Sequence, residues 1–361
     1  MKKYISFFAA VILTACSLLA CQNVGDGNVN NDDNLKIVTT IFPEYDWVMN
    51  ILGENPAKAE VTLLLDKGVD LHNYQPTAQD IVKISECDVF VYVGGESDEW
   101  VEDVLKEANN KDMQVINLME VLGDSVKEEE AVEGMQEESE HDHEHADEEE
   151  SDEEHEHEND GESHDDNHEE DGNDEEHEHH DEIEYDEHVW LSLRNATILT
   201  ERISESIQKA DPANAGAYKN NTNAYVNELK ALDEEYKKIV AEGSKDTLVF
   251  GDRFPFRYMV DDYGLNYYAA FAGCSTETEA SFETIIFLAE KMDELSLHAI
   301  LTIEGNNKKI AETIVSNTES GNQQILVMDS MQSKTSQDVQ NGATYLSIMK
   351  DNLLVLKEAM K

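Results

Sequence analysis

The sequence predicts an α/β protein of two lobes, each a parallel sheet flanked by helices, joined by a long linker helix with a cleft between the lobes. Three observations carry this. Short β-rich runs alternate with amphipathic stretches in residues 35–127 and again in 244–361, the rhythm of parallel sheets covered on both faces. An uninterrupted helical pattern separates the two halves. Between them also lies a charged stretch with no apolar periodicity, which cannot contribute to a core.

The elements follow in order. Residues 35–41 (LKIVTTI) read as the first strand, and helical spacing over 42–52 stops at Gly53. Residues 59–65 (AEVTLLL) are a second strand. Pro76 leads into a helix over 77–85 with Asp80 in its first turn, where a carboxylate suits the helix N-terminus. Residues 88–93 (DVFVYV) form a third strand before Gly94 and Gly95, 96–108 a helix, and 114–118 a fourth strand. In 188–212, the remainder of this lobe, Ile198, Ile203 and Ile207 mark a helix broken at Asp211 and Pro212. The linker helix spans 213–243: Tyr218, Tyr225, Leu229, Leu232, Tyr236 and Ile239 recur at three- and four-residue steps. A helix of about 25 residues is about 37 Å long, the size of a domain. The second lobe repeats the rhythm, with strands over 247–250, 266–271, 299–303 and 324–328 and helices over 254–263, 280–295, 307–318 and 345–360.

Residues 1–21 read as a targeting segment: Lys2 and Lys3, an apolar run over 5–19, then a small residue and a Cys. Leu18-Leu19-Ala20-Cys21 resembles a bacterial lipobox, with Cys21 as the lipidated residue, and Leu13-Thr14-Ala15-Cys16 offers Cys16 as the alternate. Residues 22–34 (QNVGDGNVNNDDN) form a flexible tether. A lipid there would hold the protein at the outer face of the bacterial membrane. Only Cys87 and Cys274 remain beyond it. They lie in different lobes without a CxxC, so neither a disulfide nor a thiolate metal site is expected.

The formal net charge is -54. Without the 34 acidic residues of 128–187, 46 acidic residues still face 26 basic ones, which argues against nucleic acid and anionic lipid as partners. Residues 128–187 hold 34 of the 80 acidic residues and no Lys or Arg. They also hold ten of the 13 histidines: His141, His143, His145, His155, His157, His164, His168, His177, His179 and His180. Imidazoles alternating with carboxylates suit divalent transition metals, with Zn favoured over hard cations. The stretch is expected to be disordered without metal and to act as a low-affinity collector.

Three histidines remain outside it. His72 and His188 each follow the end of an element, in loops that reach a cleft, whereas His298 enters a strand as a packed or surface residue. Around the first two, the sequence resembles a known family. LLLDKGVDLHNYQPTAQD (63–80), VGGESDEWV (93–101), YDEHVWLSLRNA (185–196) and NAGAYKNNTNAYVNELKALD (214–233) are similar, in the same order, to segments of the solute-binding proteins of zinc and manganese ABC importers. An acidic, His-rich insertion is typical of that family's zinc members. The resemblance covers nearly all of 35–361. It implies an extracytoplasmic receptor that delivers Zn(II), or alternatively Mn(II) or Fe, to an ABC permease as a monomer, with no catalysis.

The resemblance implies His72 and His188 as metal ligands. In the segment FGDRFPFRYMVDDYGL (250–265) Gly251 stands at the third ligand position, and Asp252 is taken by adjacency. Asp329 in VMDSMQ matches the fourth, with Glu304, Glu277 and Glu279 as alternates; Glu279 or Ser281 could equally cap the following helix. Two other classes stay open: a surface metal-buffering protein or adhesin, and a secreted metallohydrolase. The second lacks HExxH and GxSxG.

Overall fold

The structure, a computed structural model, describes residues 34–136, 184–275, 278–305 and 308–361. The targeting segment with Cys16 and Cys21, the histidines from His141 to His180, and Glu277 lie outside the described residues.

Both expected sheets form, each of four parallel strands. The first contains β1 (Lys36–Thr39), β2 (Glu60–Leu63), β3 (Val89–Tyr92) and β4 (Gln114–Asn117) in the order β2-β1-β3-β4. The second contains β5 (Thr247–Arg253), β6 (Asn266–Phe271), β7 (Ala299–Ile303) and β8 (Gln324–Met328) in the order β6-β5-β7-β8. In each, the strand order reverses direction beside the first strand. Connections then leave to opposite sides, and a crevice opens at the carboxyl ends of the strands. β3 and β7 are buried along their whole length, as strands covered on both faces must be.

The helices are α1 (Phe42–Leu52), α2 (Ala78–Glu86), α3 (Trp100–Lys106), α4 (Leu118–Leu122), α5 (Leu193–Ala210), α6 (Ala215–Glu242), α7 (Arg257–Tyr263), α8 (Phe282–Glu294), α9 (Lys309–Asn317), α10 (Ser336–Gln340) and α11 (Tyr345–Ala359). Thr77 caps α2, its side chain accepting from the Asp80 N–H. Ser281, not Glu279, caps α8. Three boundaries differ from expectation in ways that bear on the site, and α4 and α10 were not among the expected helices. The helix expected over 96–108 opens as a 3₁₀ turn, because Asp98 turns inward to accept from the Gly94 N–H at 3.0 Å. β5 runs three residues further than expected, to Arg253, and α7 starts correspondingly late. The ends of the acidic insertion are also structured. Glu128 bridges Tyr185, and the Gln136 N–H donates to the Ala270 carbonyl of β6 at 3.0 Å.

α6 is packed rather than free-standing. Its buried Tyr218, Tyr225, Leu229, Leu232 and Tyr236 face α1, α5 and α11. Tyr236 donates its hydroxyl to the Met349 carbonyl of α11 at 2.7 Å. Asp46 of α1 gathers three elements: its carboxylate accepts from the Tyr225 hydroxyl of α6 and from the Tyr345 N–H of α11, both at 3.2 Å. Tyr345 in turn donates its hydroxyl to the Trp190 carbonyl at 2.7 Å, and Trp190 donates its indole N–H to the Ser330 carbonyl at 2.9 Å. Both lobes and the long helix therefore share one apolar core around Trp47, Trp190 and Tyr345.

Burial pushes Asp46 up to about 6, against the pull of its hydrogen bonds. A raised acid holds a proton in the folded state that the unfolded chain has lost. Its contribution is full below the unfolded value near 3.8 and is lost as pH rises to about 6. Relative to Asp46→Asn, the metal-free protein should lose about 2 kcal/mol between pH 4 and pH 7, measured by urea unfolding at a series of pH values.

Candidate metal centre

His72 stands in a 3₁₀ turn (Leu71–Asn73) beyond the carboxyl end of β2. Asp70 caps that turn, accepting from the His72 N–H at 3.2 Å. His188 precedes a second 3₁₀ turn (Val189–Leu191) and is wholly buried. The two ring Nε2 atoms lie 3.3 Å apart, although 116 residues separate them in sequence. Each ring is held from behind. His72 Nδ1 lies 2.9 Å from Ser97 Oγ and 3.4 Å from Glu187 Oε2. His188 Nδ1 lies 3.0 Å from Asp186 Oδ1, which also accepts the His188 N–H at 2.8 Å. Acceptors behind Nδ1 can hold the ring proton there and turn Nε2 toward a metal, the arrangement of metal-ligating histidine.

Electrostatics keep His72 neutral. Burial, reinforced by the neighbouring His188, lowers His72 to about 3. Burial raises Asp70, but the Arg253 guanidinium, 2.7 Å away, and His72 outweigh it and hold that carboxyl below its ordinary value. Arg253 comes from the end of β5, so this ion pair links the two lobes beside the imidazoles. Glu187 is raised, chiefly by burial. It accepts from the Ser97 N–H at 2.8 Å, while its Oε2 is buried with no hydrogen-bond partner among the described residues.

Of the residues chosen from sequence, the structure brings only His72 and His188 together. Among the described residues, the one group of three or more His, Cys, Asp or Glu with ligand atoms within 4.8 Å of one another is His72, His188 and Cys274. The Asp252 carboxylate is committed elsewhere, accepting from Thr302 Oγ1, the Ile303 N–H at 3.1 Å and the Arg253 N–H at 2.9 Å. It braces β5 against β7, buried in the second lobe. Gly251 cannot carry a side chain, since a Cβ would sit 2.7 Å from Ala311 Cα of α9. The β5–β6 register shifts between Phe250 and Arg253, and such a bulge turns the chain so that Arg253 meets Asp70. Asp329 pairs with Lys334 and accepts from the Met331 N–H at 2.9 Å. Glu304 binds the Ser330 N–H and hydroxyl at 2.6 and 2.9 Å. Glu279 is exposed on the loop before α8. His298 lies at the opposite, amino end of β7.

Sequence reasoning missed Cys274 and Gln332. Cys274 follows β6 in FAGCS, at a carboxyl end where ligands gather, and that placement was the available signal. Gln332 is buried, and with its amide nitrogen donating to Asp70 at 2.7 Å its oxygen lies 2.6 Å from His188 Nε2. A cavity of about 250 Å³ opens on His72 and Cys274, with Glu96, Glu129, Glu184 and Glu187 in its wall. An acidic mouth of this kind concentrates cations.

Two parallel α/β lobes meeting at a pair of converging imidazoles define the two-lobed solute-binding class. A family model described as ZnuA, zinc-uptake complex component A, periplasmic, matches residues 37–359, and the chain belongs to that family. It is 29% identical over 361 residues to the zinc-binding protein AdcA of Streptococcus pyogenes, covering 99% of this chain and 60% of that protein. The chain thus spans about 60% of the length of the AdcA proteins it matches. It is 28% identical over 363 residues to the high-affinity zinc uptake system protein ZnuA of Bacillus subtilis, covering 98% of that protein. The structure superposes on the Zn(II)-bound ZnuA-like domain of Streptococcus pneumoniae AdcA with a TM-score of 0.62 and 25% identity, over 91% of this chain and 99% of that one.

Gly273 makes the imidazole fit. A Cβ there would lie 2.9 Å from the Phe254 carbonyl oxygen and 3.1 Å from His188 Cε1. Gly273→Ala should destabilise the fold by about 1–3 kcal/mol, the cost of overpacking, measured by denaturant unfolding of the metal-free protein.

Proposed function

We propose that this protein is an extracytoplasmic receptor that binds Zn(II) between its lobes and delivers it to an ABC import permease. The observation that carries the reading is the convergence of His72 and His188. Two nitrogens each about 2.05 Å from one zinc, at a tetrahedral angle, sit about 3.3 Å from each other. The two Nε2 atoms are 3.3 Å apart with nothing covalent joining them. The buried carboxylates around them, Asp186 and Glu187, favour a cation in the gap. Zinc binding by the named relatives supports the choice of metal.

Two neutral imidazoles suit Zn(II) better than Mn(II), which prefers oxygen, and the Gln332 oxygen is a neutral donor beside them. No chemistry on the metal is required, because ligand exchange is the whole task. The low His72 value leaves its lone pair free through the physiological range. The acidic, His-rich segment joins the described chain at Gln136 and Glu184, and Glu184 lines the mouth of the cavity. In this reading the segment collects metal loosely and raises its effective concentration at the mouth. Lipidation at Cys21, or at Cys16, would keep the receptor at the membrane beside its permease, and no helix among the described residues is long and apolar enough to cross a membrane.

His72→Ala and His188→Ala should each abolish the tight one-to-one Zn(II) site, lowering affinity by about a hundredfold or more, while weak multiple binding to the His-rich segment persists. Calorimetry against a competing chelator separates the two classes of site. Retention of the tight site in both variants, or tighter binding of Mn(II) than Zn(II), would contradict the proposal.

A further inference from the structure

We infer that Cys274 is a thiolate ligand of the bound ion, so that two imidazole nitrogens and one sulfur select thiophilic d¹⁰ metals, Zn(II) and Cd(II), and discriminate against Mn(II). The inference deepens the receptor reading and rests on it.

Three observations meet here. First, the Cys274 Sγ lies within 4.8 Å of ring nitrogens of both His72 and His188, and no carboxylate of the described residues joins that group. Zinc ligands at about 2.3 Å for sulfur and 2.05 Å for nitrogen stand about 3.6 Å apart, inside that limit. Second, the carboxylates that sequence offered as third and fourth ligands have other duties: Asp252 braces β5 to β7, Asp329 pairs with Lys334, and Glu304 binds Ser330. The third-ligand role is therefore left to a residue that lies against the imidazoles. Third, the surroundings need a cation. Glu129 accepts from the Cys274 N–H at 3.0 Å, and Glu187 Oε2 is buried without a hydrogen-bond partner among the described residues, 3.4 Å from His72 Nδ1. A thiolate in such company is stable only with a metal ion beside it.

The chain geometry supplies the position. β6 ends at Phe271, and Gly273 lets the following turn press against the His188 ring. Cys274 is thereby delivered from the second lobe to two histidines of the first. On binding, the S–H bond breaks as the S–Zn bond forms, and the proton leaves to solvent with no change of oxidation state. Soft sulfur is a poor donor for Mn(II) and a good one for Zn(II) and Cd(II).

Co(II) tests this in the full-length chain. Thiolate bound to Co(II) gives an intense near-ultraviolet charge-transfer band that imidazole and carboxylate do not, and residues 137–183 contain no cysteine. One equivalent of Co(II) should produce that band together with strong tetrahedral visible bands. Cys274→Ala should lose the charge-transfer band, bind Zn(II) about tenfold or more weakly, and narrow the preference for Zn(II) over Mn(II). Cys274→Ser, nearly isosteric, should behave likewise and guards against a folding defect, which circular dichroism would reveal. A one-to-one Co(II) complex without the band, or a band that survives in both variants, overturns the thiolate ligand while leaving the receptor reading intact. Absence of any one-to-one complex, with His72→Ala and His188→Ala indistinguishable from the parent, overturns both.

Discussion

The arrangement depends on the cross-tie at Trp190. Its indole N–H and its carbonyl are both used, one by the Ser330 carbonyl and the other by the Tyr345 hydroxyl. Tyr345 is fully buried against Trp47 and hands its backbone N–H to Asp46, which the long helix also reaches through Tyr225. Such bonds are each worth about 1 kcal/mol net, but leaving any of these buried groups unpaired costs about 1–3 kcal/mol. The network therefore resists partial opening. His188 stands two residues before Trp190, with its ring 5.2 Å from the indole, so the position of one imidazole is set by the contact between the lobes.

That constraint shapes the candidate site. A buried imidazole pair costs desolvation if either ring is charged, and burial together with the neighbouring ring holds His72 neutral. The carboxylates close by act through Nδ1 and the backbone, orienting the rings without filling the gap between the Nε2 atoms. Arg253 neutralises Asp70 and spans the lobes at the same time. The two rings are thus held by the contacts behind them, as the proposed receptor requires if it is to capture an ion without a large hinge movement. The packed α6 agrees with that, since a helix buried along its length is a brace more than a hinge.

Most of the architecture was legible in the sequence, because alternation of β-rich runs with 3.6-residue periodicity is a local signal. Both sheets, the long helix and its buried tyrosines follow from it. His72 and His188 were legible too, through the motifs around them and their place at element ends. Asp252 was chosen by adjacency alone, and in the structure its carboxylate accepts from Thr302, Ile303 and Arg253. Its neighbour Gly251 is excluded from carrying a ligand by the close approach of Ala311, and the bulge in β5 sends the carboxylate toward β7. Cys274 looked inert, as a lone cysteine does when its surroundings are unknown.

The sequence by itself determined the two-lobed α/β fold, the acidic character, the concentration of imidazole and carboxylate side chains and the two histidines. It did so because periodicity, charge and motif are written in neighbouring residues. Which third side chain faces those histidines was decided only by the tertiary structure. That choice depends on a bulge in β5, a glycine beside His188 and an ion pair between lobes, contacts among residues up to 183 positions apart. No local pattern encodes distances of that kind.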